Sequence, residues 1–309
     1  MKVIYMGTPE FAVPALEQLY NNGYEIPIVV TQPDKARDRG KKIQFPAVKQ
    51  KALELGIRVL QPEKVKGDTA FISQIKEFEP DLIVVAAYGK ILPKSILDIP
   101  KYGCVNIHAS LLPKYRGAAP IHWSIIEGEE ETGVTLMYME EGLDTGDMIA
   151  SSKTKIDKKT TSVLHDELAE MGARLLIDTI PSIENGTAKR IKQDDSKSTY
   201  APMIFKKDGI IDYSKNPIEI ERLVRGLNSW PGAYTIYNDK TMKIWEAEAK
   251  EKESSEKDGT ILNVSDKGIE VAAGGKILLI KKIQMPGKKS MPVADYLKGN
   301  KIDIKTILG

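Results

Sequence analysis

Asn106, His108 and Asp144 are the residues of this 309-residue chain whose types and spacing best fit acid–base chemistry on one reacting group. Side chains at i and i+2 of an extended segment point to the same side, so Asn106 and His108 can converge on one atom. A side-chain amide donates hydrogen bonds with no ionisation of its own. An imidazole changes charge in the physiological range, and a carboxylate can orient it or accept a proton. Pro113 stiffens the loop after His108 and Gly117 ends it, as suits a binding edge. Asp144 follows the apolar run 134–139 in a Gly-bracketed turn. A neighbouring parallel strand would present its C-terminal end there, the usual place of the ligand crevice in open α/β sheets.

Short Val- and Ile-rich runs alternate with helical patterns around these residues. Residues 2–6, 26–31, 82–87, 103–108 and 134–139 read as strands, and 9–20, 47–55, 69–78, 119–127 and 162–180 as helices. This alternation predicts an open, mainly parallel α/β sheet with Rossmann-like topology. The first turn, Gly7-Thr8-Pro9, lacks the G-x-G-x-x-G spacing, so a nicotinamide cofactor is not supported. The polar stretch 194–202 reads as a change of domain. The expected division is a catalytic domain at 1–200, a linker at 201–208 and a second domain at 209–309. After a helix-like run at 218–228, strands at 233–237, 241–247, 259–264, 268–272 and 276–283 predict a small β-barrel.

Composition sets further bounds. With 41% hydrophobic and 28% charged residues the chain reads as globular. No apolar run approaches the roughly 18 residues that span a bilayer, and strand-like sequence begins at Lys2, so neither a membrane span nor a leader peptide is expected. A lone Cys104 excludes an internal disulfide and fits a reducing, cytoplasmic setting. Its apolar strand favours an inert thiol over a nucleophile. Three His and one Cys without ligand-like spacing predict no metal site, and His122 and His165, on amphipathic helices, read as structural. Residues 206–309 carry 19 Lys and Arg against 15 Asp and Glu, and residues 1–205 carry 26 against 28. Residues 276–305 hold eight Lys and two Asp. A basic tail on a near-neutral body fits either a polyanion partner or a solvated lysine-rich surface.

Several separate motifs occur in order: Met6-Gly-Thr-Pro-Glu-Phe11, Thr31-Gln-Pro-Asp34, Asn106-Ile-His108, residues 110–121 and Leu143-Asp-Thr-Gly-Asp147. On these the chain resembles the folate-dependent formyltransferase family, in the branch that formylates methionyl-tRNA, over almost its whole length. The resemblance implies a 10-formyltetrahydrofolate donor, initiator methionyl-tRNA as acceptor, a role in translation initiation and an OB-like C-terminal barrel; a monomer is expected. It implies Asn106, His108 and Asp144 as the catalytic set, and Ser110, Leu111, Leu112 and Pro113 as the folate-binding segment, with Ile91 and Leu92 flanking the pterin. It also matches Arg39, Gly40, Lys41 and Lys42 to an insertion loop that enters the tRNA acceptor end. In this chain the preceding Lys35-Ala-Arg-Asp38 departs from the family's commoner wording. Arg116 could face either substrate.

Formyl transfer from N10 of the folate to an amine passes through a tetrahedral oxyanion, and the amine must be neutral and then lose a proton. Asn106 supplies the oxyanion donor in this expectation. His108 can add a second hydrogen bond, and Asp144 can orient the imidazole or take the proton. Other members of the same family, a formyltransferase or a formyltetrahydrofolate hydrolase using a different small-molecule acceptor, would share these residues. A glycinamide ribonucleotide transformylase needs neither the basic insertion nor a second domain. A non-catalytic RNA-binding module would not need all three chemical residues.

Overall fold

Val3, Ile4, Tyr5 and Met6 are all fully buried, which is the environment that an unbroken apolar strand requires inside a parallel sheet. A computed structural model, describing residues 1–36 and 43–309, places them in the strand Val3–Gly7. The chain divides into two units. One comprises Met1–Pro120, Thr132–Thr154 and His165–Ala201, and the other Ile121–Glu131, Lys155–Leu164 and Pro202–Gly309.

The first unit is built on a seven-stranded sheet in the order Met148–Lys155, Glu131–Tyr138, Cys104–His108, Leu82–Ala86, Val3–Gly7, Val29–Val30 and Val59–Leu60. The five strands from Cys104–His108 to Val59–Leu60 run parallel. Strand order reverses at Val3–Gly7, which lies between Val29–Val30 and Leu82–Ala86, as in a doubly wound sheet. Helices Val13–Asn21, Ala47–Glu54 and Thr69–Glu77 fall where the 3.6-residue pattern puts them. Asp68 caps the last of these by accepting the Phe71 N–H at 2.9 Å.

One expected strand runs in the opposite direction. Glu131–Tyr138 runs antiparallel to Cys104–His108, with Val105 opposite Tyr138 and His108 opposite Thr135. Its C-terminal end therefore lies beside the start of the Asn106–His108 strand, not beside its tip. Periodicity reports burial and is blind to strand direction, so the parallel reading rests on the neighbouring βαβ pattern alone.

The second unit is an antiparallel sheet in the order Ala233–Tyr237, Lys240–Glu253, Lys276–Gln284, Gly268–Ala273 and Ile261–Ser265. Lys240–Glu253 spans 14 residues, and register shifts at Ile244/Glu246, Glu246/Ala247 and Lys250/Glu253 let so long a strand coil. The chain's last residues tie the two edge strands together. Ile261 N–H donates to Thr306 O and Lys305 N–H to Ile261 O, each at 2.8 Å, while Gly309 N–H donates to Ile236 O at 3.3 Å. This closes the sheet toward an OB-like barrel and covers edges that would otherwise be open. Helix Pro217–Gly226, capped by Asn216, packs Ile220 and Val224 into a core shared with Ile244, Ile261, Val271 and Ile280.

Ile280 is fully buried and pairs across strands with Ala247 and Ile269. Ile280→Ala should cost about 2–5 kcal/mol of this unit's stability. Trp123, Trp230 and Trp245 all belong to the unit, so urea denaturation followed by tryptophan fluorescence reads it; a midpoint unchanged from the parent protein would contradict this packing.

Candidate active site

The strand Cys104–His108 delivers Asn106 and His108 to one face of the sheet near its C-terminal tip. Asn106 is half-buried, and its side-chain amide makes no hydrogen bond among the described residues. His108 is 6% exposed. Its Nε2 lies 2.8 Å from the Tyr115 carbonyl, and because a carbonyl only accepts, Nε2 carries the proton. Nδ1 therefore faces Asp144, whose Oδ2 lies 3.7 Å away. That separation is ion-pair range but longer than a hydrogen bond.

Asp144 reaches His108 although the preceding strand ends at the level of Val105. The loop from Met139 to Asp147 must turn back along the sheet, and its backbone is shaped for this. Asp144 has φ +54°, in the left-handed region that non-glycine residues seldom occupy. Gly146 packs so closely on the Tyr138 carbonyl that any Cβ would collide with it. Two donors hold the turn. Gly117 N–H donates to Asp144 Oδ2 at 2.8 Å, and the Gln193 side-chain amide donates to the Asp144 and Gly146 carbonyls, both at 2.8 Å.

Gln193 is 5% exposed, and its own carbonyl oxygen accepts from Arg116 Nε and Nη2 at 3.0 and 2.8 Å. Arg116 Nη2 also pairs with Asp195 at 2.7 Å. The sequence leaves Arg116 open to either substrate; the structure occupies it internally. Gln193 is not among the residues that the sequence singles out, because a glutamine in a polar stretch carries no signal of its own until the fold shows what it bridges.

The segment Ser110, Leu111, Leu112 and Pro113 forms a tight turn against Thr135. Thr135 Oγ1 donates to Ser110 O at 2.7 Å and accepts from Leu112 N–H at 3.2 Å, while the buried Ser110 hydroxyl donates to Lys114 O at 2.6 Å. The polar groups of Ser110 and the Leu112 N–H are thus engaged within the turn. Leu111 and Pro113 keep partly exposed apolar surface. Ile91 is 74% exposed, whereas Leu92 is buried with Tyr88 and Ile96.

Arg39, Lys41 and Lys42 lie outside the described residues. The flanking Lys35–Ala36 and Ile43–Gln44 pair as an antiparallel ladder. Beside it Asp34 accepts from Lys49 at 2.7 Å and from Gln61 at 2.8 Å, and those hydrogen bonds hold its carboxyl below the usual carboxylate range. Cys104 is buried, and desolvation pushes its thiol up to about 12, leaving too little thiolate for nucleophilic chemistry. His165 packs edge-on to Phe11 and pairs with the neighbouring Asp166, in keeping with a structural role. No group of three metal-ligating side chains occurs among the described residues.

A Rossmann-like sheet that carries Asn106 and the His108–Asp144 pair is followed in the chain by a small antiparallel barrel. The formyl transferase model matches residues 1–180, and the formyl transferase C-terminal domain model matches residues 203–301. The chain belongs to the formyl transferase family. It is 52% identical over 310 residues to methionyl-tRNA formyltransferase of Clostridioides difficile (strain 630), covering all of both chains. It is 50% identical over 309 residues to that of Clostridium novyi (strain NT), again over the full length of each. The sugar 3N-formyl transferase WlaRD, solved with dTDP and 5-N-formyl-THF, has the same fold, with a TM-score of 0.68 and 22% identity over 94% of this chain and 99% of that one.

Gln193→Ala would leave the Asp144 and Gly146 carbonyls without this donor and Arg116 with Asp195 alone. It should destabilise the first unit by roughly 1–3 kcal/mol and speed amide exchange across residues 144–147. Unaltered exchange there in the folded variant would show that Gln193 does not hold the turn.

Proposed function

We propose that this chain transfers the formyl group of 10-formyltetrahydrofolate to the α-amino group of methionyl initiator tRNA, giving the N-formylmethionyl-tRNA used in translation initiation. The pairing of His108 with Asp144, with Asn106 two residues before His108 on the same strand, in a chain about half identical over its full length to methionyl-tRNA formyltransferases, supports this reading. The reading calls for neither a metal nor a nicotinamide. In this reading residues 1–200 perform the chemistry, 201–208 link, and 209–309 hold the tRNA. In this reading the protein is a monomer, and its acceptor, a cytosolic species, supports a cytoplasmic enzyme.

The neutral amine attacks the formyl carbon. Asn106 donates its amide N–H to the resulting oxyanion, a role that fits a side chain with no competing hydrogen bond among the described residues. The His108–Asp144 pair receives the proton that the amine must lose. Nε2 is tied to the Tyr115 carbonyl, which leaves His108 Nδ1 or the Asp144 carboxylate to take it. Collapse of the intermediate expels N10 of the folate, which leaves with the proton that the His108–Asp144 pair took from the amine. Leu111 and Pro113 offer the donor apolar surface, and Thr135 fixes their turn. Arg39, Lys41 and Lys42 contact the acceptor end of the tRNA by charge.

Purified protein mixed with 10-formyltetrahydrofolate and either methionyl-tRNA or free methionine should formylate the tRNA ester; transfer to neither would sink the proposal. Asn106→Ala should lower kcat by about 10²- to 10³-fold, and His108→Ala or Asp144→Ala by at least roughly 10²-fold, with folding retained. Near-normal turnover of these variants at saturating substrate would reassign the roles.

The lysine-rich tail divides under salt. Lys281 is paired with Glu246 at 3.1 Å and Lys276 with Glu251, whereas Lys288 and Lys289 are exposed with no acidic partner among the described residues. Replacing Lys288 and Lys289 by Ala should flatten the log–log dependence of tRNA affinity on salt by about 0.7–0.9 for each phosphate no longer neutralised, and Lys281→Ala by less. Equal slopes for all variants would remove the tail from the tRNA interface.

A further inference from the structure

Tyr200 is a large aromatic side chain left 63% exposed on a backbone that is held from both sides. It pairs with Arg116 in a short parallel ladder, in which Arg116 N–H donates to Thr199 O and Ala118 N–H to Ala201 O, each at 2.9 Å. One edge of its ring rests on Gly117, where an added Cβ would lie 2.6 Å from Tyr200 Cε2. Gly117 is the residue whose N–H holds Asp144 Oδ2. An exposed aromatic ring on a held backbone therefore stands one residue from the carboxylate proposed to receive the proton of the attacking amine. No hydrogen bond of its hydroxyl occurs among the described residues, and its exposure fills no role in the core.

We infer that Tyr200 is a stacking platform for the 3′-terminal nucleobase of the aminoacylated acceptor, an inference that rests on the function proposed above. The acceptor's own covalent structure supplies the constraint. The reacting amine is separated from that base only by the amino acid's Cα, the ester and one ribose, so the base must lie beside the reaction centre whenever the amine is in place. Asp144 marks the side from which the amine approaches, whereas the proposed donor surface lies on the turn at residues 110–113. Tyr200 borders Asp144 through Gly117, which puts the ring on the acceptor side. Base-on-aromatic stacking suits a group that must be positioned but not read, because every base offers a π-face. Arg116 is already engaged by Gln193 and Asp195, so the ring, not the neighbouring guanidinium, is the surface offered to the nucleotide.

The test compares Tyr200→Ala and Tyr200→Phe with the parent enzyme on two methionyl-tRNAs, one ending in adenine and one whose terminal nucleotide lacks its base. With the adenine-ended acceptor, Tyr200→Ala should lower kcat/KM by about 5- to 100-fold, and Tyr200→Phe should stay close to the parent. With the abasic acceptor, all three proteins should be equally slow. A loss of the same size on both acceptors would make Tyr200 a structural residue and overturn the inference. A raised KM for 10-formyltetrahydrofolate with unchanged tRNA kinetics would assign the ring to the donor and overturn it too, as would an Ala variant indistinguishable from the parent. Failure of the parent enzyme to formylate the adenine-ended tRNA is a different result, which removes the proposed function itself.

Discussion

Asp144 occupies a left-handed backbone conformation at the far end of a loop that has to travel back along the sheet, and the candidate site exists only because that conformation is held. An antiparallel strand releases the chain at the level of Val105, below the tip that carries His108. Left to its own preferences, an aspartate with positive φ would relax at a gain of the order of 1–3 kcal/mol. The opposing hold comes from Gly117, which takes one carboxylate oxygen, and from Gln193, which takes two carbonyls of the same turn. Neither donor changes charge, so the turn is held without altering the ionic balance between Asp144 and His108.

Gln193 suits this position for a reason that its charged analogues would not meet. Its NH₂ satisfies two carbonyls while its oxygen accepts two donors from Arg116, so one side chain links the Asp144 turn to the strand-like Arg116–Gly117 segment. A glutamate would present lone pairs to both carbonyls, and a lysine would meet Arg116 with like charge. Arg116 in turn reaches Asp195, which is largely exposed, so the network starts at the surface and ends at a buried main chain. Arg116 also precedes Gly117, the other residue that grips Asp144. The two holds are therefore mechanically coupled.

Much of this is legible in the residues alone, and the losses have physical causes. The central strands and the helices at 47–55 and 69–78 are legible because burial on a sheet interior or along one helix face writes a strong period into the sequence. Met148–Lys155 is not, because it is an edge strand whose outward residues are polar, so Met-Ile-Ala-Ser-Ser-Lys-Thr-Lys contains no apolar run. The helix Val293–Leu297 is too short to establish a period. Asn106 and His108 are readable as a pair because an i, i+2 spacing fixes their common side. Asp144 is readable as a partner, but the route by which it arrives is not, since antiparallel pairing leaves no mark on burial. Gln193, Thr135 and Thr199 act through backbone atoms, and which backbone atoms lie near them is set by the fold.

Charge counting illustrates the same limit on a surface. The excess of lysine over acid in residues 276–305 looks like a positive field, yet the strand Lys276–Gln284 lies against Lys240–Glu253, which supplies Glu246, Glu248 and Glu251. Cross-strand pairing then sets Lys281 beside Glu246 and Glu248, and Lys276 beside Glu251, so the lysines within the ladder are largely compensated where they stand. The turn beyond the strand is different. Lys288 and Lys289 project from a segment fixed by Lys288 N–H to Met285 O at 3.0 Å and by Gln284 Nε2 to Lys288 O at 2.8 Å, with no facing strand to bring an acid opposite them. Uncompensated charge on an ordered turn attracts a phosphate without first having to break an internal pair. The uncompensated charge of this stretch therefore lies on the turn at Lys288 and Lys289 more than on Lys276 and Lys281 of the preceding strand.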